Sequence, residues 1–213
     1  MNISLKSLVA TLSLTACVMA PINALSAPIP IFNTGVNAAG LGLGGLALGG
    51  ADPHYSTALT TPPIVVSNTA YVPNSAASQW IWGNSLGGDQ TFTFTTTFDL
   101  TGLDPMTAAL NGLWGTDNQG LDIIVNGVST GITLLGVVVG NFNVLHPFSI
   151  NSNFVAGVNT LQFVVQNNGG PGAFRAELSG TADPLGTVPE PGSLALVGLA
   201  LLGVGAVRRF MKT

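Results

Sequence analysis

The stretch Thr91-Phe92-Thr93-Phe94-Thr95-Thr96-Thr97-Phe98-Asp99-Leu100 decides the fold. Phe92, Phe94, Thr96, Phe98 and Leu100 fall on one side of an extended chain, and Thr91, Thr93, Thr95, Thr97 and Asp99 fall on the other. Alternation of period two over this length marks an antiparallel strand with one face in a core and one in water. The threonine row needs no binding role, because exposed threonine is a good strand former.

Strand signals continue on both sides. Met106 to Trp114 is a further candidate, and Leu121 to Val125 runs into Asn126-Gly127, a two-residue hairpin signal. Thr133 to Val139, Asn143 to Ile150, Leu161 to Gln166 and Phe174 to Ser179 follow, separated by turns such as Asn167-Asn168-Gly169-Gly170-Pro171-Gly172. Short strands at this spacing predict an all-β, antiparallel β-sandwich or jelly roll. Upstream, Gly35 to Gly50 is mostly Gly, Ala and Leu without a clean period. It reads as a flexible connection between a first short strand and the body of the domain.

Charge narrows the function. The chain has five Lys and Arg against nine Asp and Glu, and Arg175 is the one basic residue between Lys6 and Arg208. A phosphate backbone needs several cations, so nucleic acid is excluded as a partner. The single cysteine, Cys17, lies in the leader, which leaves no disulfide or thiolate ligand for the domain.

Residues 1–27 read as a secretory signal peptide, with Lys6 ahead of an apolar run from Leu8 to Ala20 that is too short to span a bilayer. Cleavage by signal peptidase fits after Ala24 or after Ala27, and Pro28 favours the earlier bond. Leu14-Thr15-Ala16-Cys17 also resembles a lipoprotein box, which would lipidate Cys17, but Val18 to Ile22 stays apolar where a polar linker is usual.

At the other end Val188-Pro189-Glu190-Pro191 precedes an apolar, glycine-spaced run from Ser193 to Val207 and then Arg208-Arg209. As a helix the run rises about 22 Å against a hydrocarbon core of about 30 Å. Pro189 and Pro191 bar helix upstream and keep Glu190 in an extended, accessible strip. Arg208 and Arg209 favour a cytoplasmic end. A weak anchor behind an exposed strip suits transient retention in the inner membrane and cutting. Motif, run and basic stop together resemble the PEP-CTERM sorting signal of Gram-negative bacteria that make extracellular polysaccharide. The resemblance implies exosortase as the processing partner and delivery to the cell surface or extracellular matrix.

A second resemblance covers residues 78 to 179. Ser78-Gln79-Trp80-Ile81, the Phe/Thr strand, Asp117-Asn118, Ile124-Val125-Asn126-Gly127 and Gly157-Val158-Asn159-Thr160-Leu161 occur in that order, closing near Asn167. The succession is similar to the galactose-binding-domain-like jelly roll, an accessory module of glycoside hydrolases, and it implies fold more than function. The expected organisation is a signal peptide at 1–27 and an N-terminal strand with glycine-rich connection at 28–63. The β-sandwich at 64–182 follows, then a linker with the Pro-Glu-Pro motif at 183–191 and a hydrophobic helix with basic tail at 192–213.

Chemistry is sparse. His54 and His146 are isolated and read as structural, no Gly-x-Ser-x-Gly elbow is present, and no pair of carboxylates stands out for glycoside hydrolysis. The expected catalytic residues are therefore none, and the chain is not read as an enzyme. Trp80, Trp82 and Trp114 offer faces for sugar rings, although Trp80 and Trp114 read as core. The expected ligand set is Trp82, Asp117, Asn118, Asn167 and Asn168, with exopolysaccharide as partner. Asp117 and Asp122 are candidates for a structural Ca²⁺, and no other cofactor is expected. A sugar binder predicts an exposed Trp82 beside an open groove. A purely structural surface protein predicts three buried tryptophans and no groove, and a glycoside hydrolase predicts facing carboxylates.

Overall fold

A computed structural model of the chain describes residues 26–83, 88–136 and 138–186. The expected leader with Cys17, the motif Val188, Pro189, Glu190 and Pro191, and the expected C-terminal helix with Arg208 and Arg209 lie outside these residues. The elements are β1 (Ala27–Pro28), β2 (Ile64–Val66), β3 (Trp80–Trp82), β4 (Asp89–Asp99), β5 (Ala109–Asp117), β6 (Gln119–Val125), β7 (Val128–Ser129), α1 (Val138–Asn143), β8 (His146–Ile150), β9 (Val158–Asn168) and β10 (Ala173–Ala182). One sheet runs β2-β3-β10-β5-β8, with β1 beside the end of β10, and the other runs β4-β9-β6-β7. All pairings are antiparallel, so the chain forms the expected β-sandwich.

The deciding strand behaves as its pattern dictates. β4 pairs with β9 along its whole length, from Asp89 with Asn168 to Asp99 with Val158. Phe92, Phe94, Thr96, Phe98 and Leu100 are buried. Between the sheets the rings of Phe94, Phe174 and Phe163 stack in series with centroids 4.8 Å apart, and Trp114 follows at 5.8 Å from Phe163. Gly120 lies directly under the Trp114 indole, where any Cβ would overlap the ring.

The Asn126-Gly127 hairpin forms with φ of 51° and 79°, the left-handed pair that a two-residue turn needs. Behind it Asn159 is fully buried and braces the loop before β9. It donates to the carbonyls of Val155 and Gly157 and accepts from Val155 N–H and Asn126 Nδ2, at 2.7–2.9 Å. The Gly157-x-Asn159-x-Leu161 pattern is thus a loop brace. Asn159→Leu is expected to lose about 2–3 kcal/mol in urea unfolding, since it orphans several buried partners. A loss under about 0.5 kcal/mol would show the brace to be dispensable.

Three expectations are corrected. Residues 133–139 do not make a strand: Leu134 forms one isolated bridge to Gly120, and the chain then leaves the sheet through α1. β-branched content raised the strand signal, but the chain must cross here from one sheet to β8 in the other. The strand expected from Met106 starts at Ala109, because Asp104 caps a turn through Met106 N–H and leaves Met106 87% exposed. The glycine-rich segment is no tether. Gly42 and Leu43 N–H bond the carbonyls of Ala76 and Ser75, Gly49 N–H bonds Val65, and Thr34 and Val36 are buried. Glycine there permits close backbone contact as well as freedom.

Arg175, the single cation of the domain, is buried on β10. It bonds Pro73 O at 2.7 Å, Ser78 Oγ at 2.6 Å and Ser75 Oγ and Glu177 Oε1 at 3.0 Å. It fastens the 72–78 loop to the sheet. The two poles of the sandwich then differ in content. β1, the 101–107 turn and Asp183 meet at the Ala182 end of β10, and the loops at 118 and 167–172 gather at the Ala173 end. A ten-residue strand separates the poles by about 33 Å.

Candidate ligand groove at one end of the sandwich

A groove of about 590 Å³ opens at the Ala173 end, beside the edge strand β2. Leu48, Ile64, Val66, Tyr71, Trp82 and Pro171 line it, with Ser67 and glycines 49, 170 and 172. Two prolines, Pro62 and Pro63, lead into the β-branched run that sets Ile64 and Val66 at the sheet edge. Trp82 ends β3 and packs on Phe92 and Phe94 with centroids at 5.0 and 5.7 Å. Gly172 leaves room for the indole, and a Cβ there would overlap it. The walls are mostly apolar, and the volume lies in the range typical of small-molecule sites.

The five expected ligand residues are brought to this end, but in a different role. Tyr71 Oη donates to Asp117 Oδ2 at 2.6 Å and lies 3.3 Å from Pro171 O. Asn118 Nδ2 donates to Asp117 Oδ1 at 2.9 Å, and Asn118 Oδ1 accepts from Asn168 N–H at 2.6 Å. Asn167 Nδ2 bonds the carbonyls of Gly88 and Gly170 at 3.1 Å. These side chains hold the 167–172 loop in place as a groove wall. Trp82, which a sugar binder predicts exposed and a purely structural protein predicts buried, is 1% exposed, because its ring fills the end of the core. Its Nε1 and the Oδ1 of Asn167 are buried without a partner among the described residues.

Asp117 on β5 accepts from Tyr71 Oη, and Asp122 on β6, beside a register irregularity at Gly120, has its Oδ1 buried without a partner among the described residues. His54 is a satisfied turn residue, with its N–H on Asp52 Oδ1 at 2.8 Å and its ring 3.6 Å from Phe32. His146 opens β8 and contacts Gly140 O at 2.8 Å. Trp80 and Trp114 are core residues, as expected. Sequence reasoning missed Tyr71, Ile64, Val66, Leu48 and Pro171. The Pro-Pro-Ile-Val-Val run signalled an edge strand, but nothing in it signalled which loops would face it.

Burial raises the pKa of Asp117, offset in part by the Tyr71 bond, and burial, with the Asp117 carboxylate second, pushes the Tyr71 hydroxyl up. Burial also raises Asp52, against bonds from Gly35 and His54 N–H. A carboxyl whose folded pKa exceeds its unfolded value stabilises most when protonated, and that contribution is lost as pH rises through the folded value. Asp99, held low by bonds from Thr101, keeps its contribution through this interval and loses it only as pH falls below the ordinary carboxylate range. Acidifying from pH 7 to about 4.5 is therefore expected to hold or raise the melting temperature. A clear fall over that interval would contradict these assignments.

No curated protein matches the chain. Residues 187–209 match the PEP-CTERM protein-sorting motif. The chain carries that sorting signal. The PEP-CTERM segment begins one residue beyond Gly186, where the described chain ends, and Leu185 N–H is fixed to Gly102 O at 2.8 Å. A CBM35 from Paenibacillus barcinonensis is a similar solved structure, with 19% identity and a TM-score of 0.35 over 60% of this chain and 94% of that one. The sandwich itself rests on the strand pairings above.

Proposed function

We propose that this is an exported protein of the cell surface or extracellular matrix, freed of its leader by signal peptidase and processed by exosortase after transient retention in the inner membrane. Its β-sandwich is a non-catalytic module that takes carbohydrate, the chain's ligand in exopolysaccharide. The observation that carries the binding reading is the groove at the Ala173 pole, opposite the pole from which the PEP-CTERM segment departs. A chain held by its C-terminus presents that groove away from the membrane. Apolar walls of Ile64, Val66 and Pro171 suit the C–H faces of sugar rings, and Ser67 with the Gly170–Gly172 backbone supplies polar contacts. Among the described residues, none lining the groove is ionisable in the catalytic range, which favours a module without chemistry. Among the described residues Arg175 is the one Lys or Arg, and it is buried and engaged, which supports a reading without nucleic acid.

A second reading, a purely structural surface protein, draws on the burial of all three tryptophans, since stacking on an open indole is absent. Processing is tested in a host with and without exosortase. Loss of exosortase is expected to leave the intact C-terminus in the inner-membrane fraction, and unchanged mass and location would overturn the sorting reading.

A further inference from the structure

An asparagine followed by glycine is prone to spontaneous loss of its side-chain amide, because glycine leaves its own nitrogen uncrowded and its backbone free to turn. The sequence has three such steps, Asn111-Gly112, Asn126-Gly127 and Asn168-Gly169. The fold closes two of them. Asn111 and Gly112 lie inside β5, paired on one side with Ser179 and Leu178 and on the other with Ser149 and Phe148. Their backbone cannot turn toward attack without parting from both neighbours. The Asn126 side chain is held at both ends. Its Nδ2 donates to Asn159 Oδ1 at 2.7 Å and Asn153 O at 2.8 Å, and its Oδ1 accepts from Thr160 N–H at 2.9 Å.

Asn168 differs on each count. It is the last residue of β9, it is exposed, and its side-chain amide makes no hydrogen bond among the described residues. Gly169 stands outside the strand at φ of 108°, and its N–H has no acceptor among the described residues. A strand end of this kind reaches attack geometry by local fraying, whereas the other two steps need a larger opening.

We propose that Asn168 is a site of spontaneous deamidation, through which one wall of the groove ages. The Gly169 nitrogen attacks Cγ of Asn168 and gives up its proton, a C–N bond forms, and the Cγ–Nδ2 bond breaks with release of ammonia. Water then opens the cyclic imide at either carbonyl, leaving aspartate or isoaspartate at position 168. Both products alter the wall. Asn168 stands opposite Asp89 in the β4–β9 ladder, so a new carboxylate sets like charges across from each other. Isoaspartate also adds a main-chain carbon between two anchors of the 167–172 loop. These are Asn168 N–H on Asn118 Oδ1 at 2.6 Å, and Gly170 O on Asn167 Nδ2 at 3.1 Å. This chemistry is independent of what the groove takes.

The test incubates the purified protein, folded and in urea, in warm, mildly alkaline buffer and follows the amide-to-acid mass change peptide by peptide. In the folded protein Asn168 is expected to convert at least about tenfold faster than Asn111 or Asn126, and in urea the three should converge. No preference for Asn168 in the folded protein would overturn the proposal. A preference that persists unchanged in urea would overturn the role given to the fold. The aged parent should melt about 2–4 °C lower than fresh protein, and Asn168→Gln, aged alike, should hold its melting temperature. An equal loss in Asn168→Gln would overturn the effect assigned to this site.

Discussion

Trp82→Ala is expected to cost about 3–5 kcal/mol, the usual price of emptying a buried aromatic site. The indole is 1% exposed, rests on Phe92 and Phe94, and closes the end of the core against Gly172. Little nearby can collapse into the gap, because the 167–172 loop is held by the Asn118 and Asn167 bonds. Urea unfolding of the two proteins measures this. A change under about 0.5 kcal/mol, as surface substitutions give, would mean that the ring lies in solvent. The same burial disqualifies this variant as a binding probe, since a lost signal would report unfolding.

The second large effect is at Arg175. Arg175→Met is expected to lose about 2–3 kcal/mol. The thioether fills the stem's volume, but Pro73 O and Ser75 Oγ lose charged donors in a buried place. Glu177 loses its ion pair, a smaller matter because its side chain is 28% exposed. Increased proteolysis within the 72–78 loop should accompany the loss. A variant as stable and as resistant as the parent would show that the loop is held by its backbone contacts alone.

The sequence made the sheets legible where a single face is buried. β4 and β9 alternate strictly, and the hairpin at Asn126-Gly127 follows from two left-handed residues, so the residues alone place these elements. Elements whose role depends on distant partners are not legible in this way. The 133–139 run is rich in β-branched residues, yet its path is set by the need to cross to β8. Glycines 42 and 49 looked like slack and instead permit close backbone contacts. At the groove, polar residues in turns suggested ligand contacts, but Asn118 bonds Asp117 and Asn168 N–H, and Asn167 bonds the carbonyls of Gly88 and Gly170. The lining itself comes from Leu48, Ile64, Val66 and Tyr71, far apart in the chain and apolar, a combination with no local signature. The sorting motif was legible because its parts are consecutive.

The most direct test of the account is titration of the mature protein and of Ser67→Phe with the host's own exopolysaccharide, read by tryptophan fluorescence. Ser67 is exposed and lines the groove, so the substitution fills the space without entering the core. A saturable change in the parent, weakened at least tenfold in the equally stable variant, is the predicted result. No response from the folded parent, or the same response from both proteins, would contradict binding of carbohydrate in this groove.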